Sequence, residues 1–396
     1  MLIITIRIAG YYTSGEFSLV ISFTNIFGFL SAYNIRSFQL NDVHQRFSPQ
    51  QYSCAYVLTS LFSVICFSVS LPLCGYTLNV FSCCIAFMLF KLCETFTTYI
   101  FTYMQLKNNY SGILISLILK GIIPLISFSL CLFLTNSLFY SIIALFLFYF
   151  STFVMYDLPK TKEYLPHAIT MNGTREIIIK CFPLMLSTLF TPFILFITRY
   201  TIEKIYGIVV LGFFTPFTMV IIVFFAIAES VYIVLLPTIS IYYAENLRKE
   251  LNKFILLMIG CISIFCIIAL LFAHFLGDFL FSFIFGIEIL PYMYLLIPTI
   301  FAGIILVILS LLSTLLIAIR KHILMLICKV FGSILLYILI VPATQSFGIL
   351  GTINAFSLSL GIPVIIQSII IFFNICTKTA NIQKSDKAKL FDNTRQ

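Results

Sequence analysis

Apolar positions along this chain neither alternate nor recur in a single helical stripe. They run unbroken. Cys54 to Phe90, Gly121 to Tyr156, Ile205 to Ala228, Ile289 to Ile319 and Val330 to Thr377 contain no charged side chain. A helix crosses a bilayer with about 20 apolar residues, so most of these runs hold one span plus part of another, or two. A membrane β-barrel would show alternating segments of about ten residues with a polar lumen face. Runs that are apolar on every side predict an all-α integral membrane protein. Length and turn residues place about eleven complete spans at 17–34, 54–73, 80–104, 112–134, 137–156, 178–199, 207–235, 254–276, 293–318, 322–342 and 348–374. Residues 1–9 read as the end of one further helix, too short to cross and without the layout of a signal peptide. Tight polar turns such as "LKNNYSG" and "TQSFG" separate the spans, which leaves no room for a folded soluble domain.

Composition agrees. The chain has 396 residues, 61% hydrophobic and 9% charged, with mean hydropathy +1.12. A soluble domain carries about 25% charged residues, so the solvent for this surface is lipid. The 12 cysteines sit within apolar spans with no C-x-x-C spacing, as small buried hydrophobes do. Four scattered histidines form no metal pattern. With no P-loop, no G-x-G-x-x-G and no nucleophile elbow, neither an enzyme nor a cofactor is expected.

The net charge of +9 is distributed by topology, and does not point to nucleic acid. Assigning alternate loops to one side puts about seventeen lysines and arginines there, from Arg36 to Arg395. The other side holds Arg199 and Lys204. That bias makes the first side cytoplasmic. Its longest connection, "DLPKTKEYLPHAITMNGT", divides the chain into an amino-terminal transmembrane lobe at 1–156, an interlobe linker at 157–174 and a carboxy-terminal lobe at 175–375. A basic cytoplasmic tail follows at 376–396, suited to anionic lipid. Two lobes around a midplane site is the usual plan of a secondary transporter.

Against this background, "MLFKLCETFTTYIFTYMQL" stands out. Lys91, Glu94, Thr95, Thr98, Thr102 and Gln105 share one helical face. A polar stripe on a spanning helix faces protein or a watery cavity, because a charge in hydrocarbon costs about 2.5–3.5 kcal/mol or more. Lys91 and Glu94 read in two ways: a self-neutralising pair that locks the lobe, or a cationic point in a cavity that receives an anionic headgroup. Lys120, on the next span, is a second candidate cation for that cavity. Arg199 closes the seventh span, with Glu203 one turn on. Glu229 is a lone intramembrane carboxylate and a candidate for ion coupling. Lys329 lies close enough to the cytoplasmic face to snorkel.

The quoted residues carry a family resemblance. "AGYYTSGEFSLVISFTNIFGFLSAYNIRSFQLND" resembles the first extracytoplasmic turn and second helix of the polysaccharide and O-antigen repeat-unit flippases, members of the multidrug/oligosaccharidyl-lipid/polysaccharide (MOP) superfamily. "KLCETFTTYIFTYMQLKNNYSGILISLILKG" resembles that family's K-x-x-E…Q…(R/K)-G pattern. "LSTLFTPFILFITRYTIEKIYGIVVLGFFTPF", "FGIEILPYMYLLIPTIFAGIILVILSLLSTLLIA" and "SFGILGTINAFSLSLG" resemble its second-lobe start and its tenth and twelfth helices, in the expected order. The resemblance implies a two-lobed MATE-like transporter lacking most of the family's first helix. It implies translocation of an undecaprenyl-diphosphate-linked oligosaccharide across the bacterial cytoplasmic (inner) membrane by alternating access. Lys91, Glu94, Thr98, Gln105, Lys120 and Arg199 would then line the substrate cavity. Implied partners are the lipid-linked oligosaccharide, membrane lipids, a polysaccharide polymerase and a chain-length regulator. Two rivals fit the same composition: a polysaccharide polymerase, which needs larger outer loops with arginines, and a small-molecule exporter of the superfamily, which favours acidic intramembrane residues.

Overall fold

The structure, a computed structural model, describes residues 1–40, 42, 46–162, 170–245, 247–319 and 321–393; the side chains at 233, 244, 248, 322 and 372–393 are not among those described. The basic tail expected at 376–396 and the middle of the linker therefore lie outside the described side chains. No strand occurs among the described residues. The helices are α1 (Leu2–Ala32), α2 (Ile35–Leu40), α3 (Pro49–Leu73), α4 (Leu78–Leu106), α5 (Tyr110–Thr135), α6 (Leu138–Thr152), α7 (Leu158–Thr161), α8 (Thr174–Tyr206), α9 (Ile208–Ala244), α10 (Arg248–Phe285), α11 (Leu296–Ala318) and α12 (His322–Asn393). A π-turn, Phe153–Asp157, joins α6 to α7, and a 3-10 segment, Ile287–Leu295, precedes α11.

Among the described residues, ten segments are long and apolar enough to cross a membrane, and the chain is a multi-pass membrane protein. The eleven expected spans reduce to ten because two of them form the continuous segment Ile323–Ile371. That segment folds back on itself. Gly348 takes φ 66° and ψ −151°, a region essentially reserved for glycine. Across it the hydroxyls of Thr344 and Thr352 lie 2.9 Å apart, whereas eight residues of straight helix would separate them by about 12 Å. Gly10, at φ 79° and ψ −179°, separates the amino-terminal stub from the rest of α1 in the same way.

Local signals set the other boundaries. Ser48 and Gln51 form a capping box ahead of Pro49 and start α3. The Asn109 side chain accepts from the Gly112 N–H at 3.0 Å and starts α5. Tyr33 and Asn34, both at positive φ, end α1 and redirect the chain into α2. Serine and threonine hydroxyls inside spans return to carbonyls three or four residues back, as Thr95 does to Lys91 at 3.1 Å, so they need no water.

The chain groups into two compact units: Met1–Pro216 with Asp278–Met293, and Phe217–Gly277 with Tyr294–Gln396. α8, which follows the linker, packs on α1 and α3 within the first unit. The core of that unit is aromatic, with Phe17 stacked on Phe128 at 5.3 Å and edge-on to Phe87 at 5.8 Å. In the second unit Tyr232, Met258, Leu311, Leu315 and Met325 form the core. The described cysteines are all free.

Candidate functional site

The polar stripe of α4 forms as the spacing predicts. Lys91 Nζ lies 2.6 Å from Glu94 Oε2, and the two side chains are 17% and 47% exposed. The stem of Lys91 lies over Gly28 of α1, and its ammonium sits 5.7 Å from the ring centres of both Phe87 and Phe90. Cation–π contact and the carboxylate together compensate the charge without enclosing it. Thr98 returns its hydroxyl to the Glu94 carbonyl at 3.0 Å, and Thr102 to Thr98 at 2.9 Å. Two turns below Thr98, Gln105 Oε1 accepts from Arg36 Nη2 at 3.0 Å.

Arg36 is a site residue that the sequence reading counted only as a loop charge. It arrives because the left-handed pair Tyr33–Asn34 turns the chain just before it. Beside it, Tyr56, Tyr99 and Tyr103 form an aromatic run, with ring centres 4.9 and 5.1 Å apart. α4 thus presents a cation, a carboxylate and an amide along one face, with a second cation, from α2, bonded to the amide. Such a set can grip an anionic, hydroxyl-rich group by charge-assisted hydrogen bonds.

Lys120 lies elsewhere. Its ammonium bonds to Asp157 Oδ2 and, at 2.7 Å, to Thr97 Oγ1 on a neighbouring face of α4. The Lys120 and Asp157 side chains are 4% and 0% exposed. The rings of Phe101, Tyr149 and Phe153 surround the ammonium at 5.5, 4.8 and 5.2 Å. Asp157, expected as the first linker residue, belongs to the π-turn that carries the helix on to Thr161. A carboxylate at the end of an apolar run reads as a loop residue, and only the fold shows it turned inward.

Arg199 does not sit at an exposed helix end. α8 continues to Tyr206, and Arg199 is 2% exposed, with Nη1 donating to the Ser18 carbonyl of α1 at 3.3 Å. Glu203 lies 3.7 Å from Lys204. Glu16 on α1 is a buried carboxylate that the sequence reading did not single out.

Glu229 belongs to the second unit. Its Oε2 accepts from Ser310 Oγ at 2.6 Å, and Lys329 lies within its electrostatic reach. On the same helix as Ser310, Ser313 donates to Gln367 Oε1 at 3.4 Å. This unit also holds an apolar groove of about 470 Å³ between α10 and α11, lined by Ile255, Ile259, Leu311 and Leu315. No group of residues suited to a metal ion occurs among the described residues.

No family model matches the chain, and no curated protein does. Solved structures do match it. An inward-facing multidrug-resistance MATE transporter of the MOP superfamily aligns with TM-score 0.72 at 10% identity, over 95% of this chain and 94% of its own. The lipid II flippase MurJ in an inward closed conformation gives 0.65 at 14% identity, over 94% and 86%. A mutant form of the VcmN MATE transporter of Vibrio cholerae gives 0.65 at 11%, over 93% and 89%. The chain therefore has the fold of the MOP-superfamily transporters.

Proposed function

We propose that this protein is a flippase for a lipid-linked oligosaccharide, carrying an undecaprenyl-diphosphate-bound repeat unit across a bacterial inner membrane by alternating access. The observation that carries this reading is the partly exposed Lys91–Glu94 pair on the same helix face as Gln105, to which Arg36 of α2 donates. The lysine is held but not enclosed, so it can exchange its carboxylate for a phosphate oxygen. Arg36 supplies a second cation, and Thr98 and Gln105 offer hydroxyl and amide groups to sugars. The fold similarity to the lipid II flippase supports a lipid-linked cargo. No covalent chemistry is required. Glu229, bonded to Ser310 near Lys329, is the proposed ion-coupling carboxylate. A polymerase and a chain-length regulator would consume the product.

A small-molecule exporter is the second reading, favoured by the fold match to MATE transporters at TM-scores of 0.72 and 0.65. A cation-lined face speaks for an anionic cargo. The deciding experiment deletes the gene and examines the cell surface. The flippase predicts loss of surface polymer with lipid-linked units accumulating inside. Normal polymer together with altered drug tolerance would replace it with the exporter.

A further inference from the structure

Among the described spans α10 is the least buried. Inside the fold lies 6% of its most apolar stretch, against 28–67% in the others. Ser263 and Cys266 on α10 and Ser368 on α12 are small, and they leave a recess beside α11 that larger side chains would close. The result is the groove of about 470 Å³ described above, a volume within the range of ligand sites. Its floor is core, with Leu311 and Leu315 each 3% exposed. Its rim opens sideways, with Ile259 49% and Ile267 57% exposed. The whole groove belongs to the second unit.

The groove offers little to water. Ser263 donates to the Ile259 carbonyl at 2.9 Å and Ser368 to that of Val364 at 2.7 Å, so neither hydroxyl needs another partner. The rest of the wall is isoleucine, leucine and one cysteine thiol. Such a surface favours a hydrocarbon occupant. The fold also sets the length of that occupant. Ile255 to Ile267 is twelve residues, or about 18 Å of helix. One leaflet of the hydrocarbon core is about 15 Å deep. α10 begins at Arg248, on the side that the lysine and arginine distribution makes cytoplasmic. The groove therefore runs through the cytoplasmic leaflet.

Its cytoplasmic end is cationic. Lys249 stands eighteen residues, five helical turns, before Ile267 and continues that row. Asn252 stands eleven residues, three turns, before Ser263 and continues the row beside it. Both are exposed. Glu250 falls on the opposite side of α10 from the groove. Lys253 is also exposed, and Lys321 lies just past the end of α11. Lys249, Lys253 and Lys321 thus outnumber Glu245 and Glu250 at this end.

We propose that this groove binds one anionic phospholipid of the cytoplasmic leaflet. An acyl chain fills the recess between α10 and α11, and the phosphate headgroup meets Lys249 and Asn252. The lysine stem covers the apolar mouth while its ammonium stays at headgroup level. The lipid completes the packing of α10, which side chains alone leave open. The single-leaflet depth fits an acyl chain, whereas an undecaprenyl chain is much longer. The site rests on the membrane reading of the chain and not on the identity of its cargo.

Native mass spectrometry tests the site. The full chain is released from nanodiscs made of equal phosphatidylglycerol and phosphatidylcholine with identical acyl chains. One phosphatidylglycerol should be retained at least about ten-fold over phosphatidylcholine. Lys249→Ala should cut that preference about five-fold, the effect of one lysine near an anionic headgroup. Ser263→Trp fills the recess and should abolish retention. Lys162→Ala, which removes an exposed lysine of the first unit, should change nothing. Equal retention of the two lipids means annular lipid only and overturns the proposal. A preference that survives Lys249→Ala overturns it, as does one that survives Ser263→Trp. Polyprenyl lipid retained in place of phosphatidylglycerol also overturns it. Should Ser263→Trp fail to fold, Lys249→Ala decides, because that side chain is exposed and its loss leaves the core intact.

Discussion

Two of the lysine–carboxylate pairs in the first unit, built from the same chemistry, sit in opposite surroundings. Lys91 and Glu94 lie on one helix, three residues apart, with Glu94 47% exposed. Lys120 and Asp157 come from different helices, 37 positions apart, and are 4% and 0% exposed. The open pair keeps its partners exchangeable. The sealed pair has its cation enclosed by Thr97 and three aromatic rings, and Asp157 Oδ1 is buried without a hydrogen-bond partner. Burial, not residue type, separates the lysine that a ligand could reach from the one it could not.

The sealed pair should show the largest effect when broken. Asp157→Ala leaves a buried ammonium unpaired, at a cost of about 3–5 kcal/mol. Membrane abundance and melting temperature should fall sharply. The double replacement Lys120→Met with Asp157→Leu should restore most of both, since an apolar pair often equals a buried ionic one. Unfolding can be followed with a thiol-reactive dye. The chain has no tryptophan, but Cys54, Cys83, Cys84, Cys93 and Cys181 are buried and free. Full stability of Asp157→Ala would show that Lys120 finds another partner.

The open pair should respond in transport and not in stability. On the proposed function, Lys91→Ala removes a charge-assisted contact worth about 1.5–3 kcal/mol to an anionic cargo. Surface polymer should drop about ten-fold or more at unchanged abundance. Arg36→Ala, which unties Gln105 as well, should give a smaller loss of the same kind, checked by the same surface assay. A collapse of folded protein in Lys91→Ala would instead assign the pair to structure.

A third carboxylate, outside the membrane, sets the low end of the scale. Burial raises the pKa of Asp42, but the Arg46 and Phe47 N–H groups and the Tyr52 hydroxyl outweigh it and hold the carboxyl below its ordinary value. A folded-state value below the unfolded one of about 3.9 stabilises above that pH and loses its effect as pH falls through the folded value. Wild type should therefore melt slightly above Asp42→Asn at pH 7, with the gap closing as pH falls below about 3.9.

Much of this was legible in the sequence, and the reasons are physical. Lipid demands unbroken apolar runs, so the spans could be counted from charge-free stretches. The stripe from Lys91 to Gln105 could be read because helical spacing alone sets it. What escaped were contacts between distant segments. Asp157 reads as a linker residue, Arg36 as a loop charge and Lys120 as a free cation, since nothing nearby in the chain names their partners.

Neutralising each pair in turn is the most direct test of their roles. On the proposed function, Lys91→Met with Glu94→Leu, and Lys120→Met with Asp157→Leu, would be compared for surface polymer per folded protein in a strain lacking the gene. The first should abolish export at normal abundance, and the second should retain it. Export that survives loss of the open pair but fails without the sealed one would contradict the assignment.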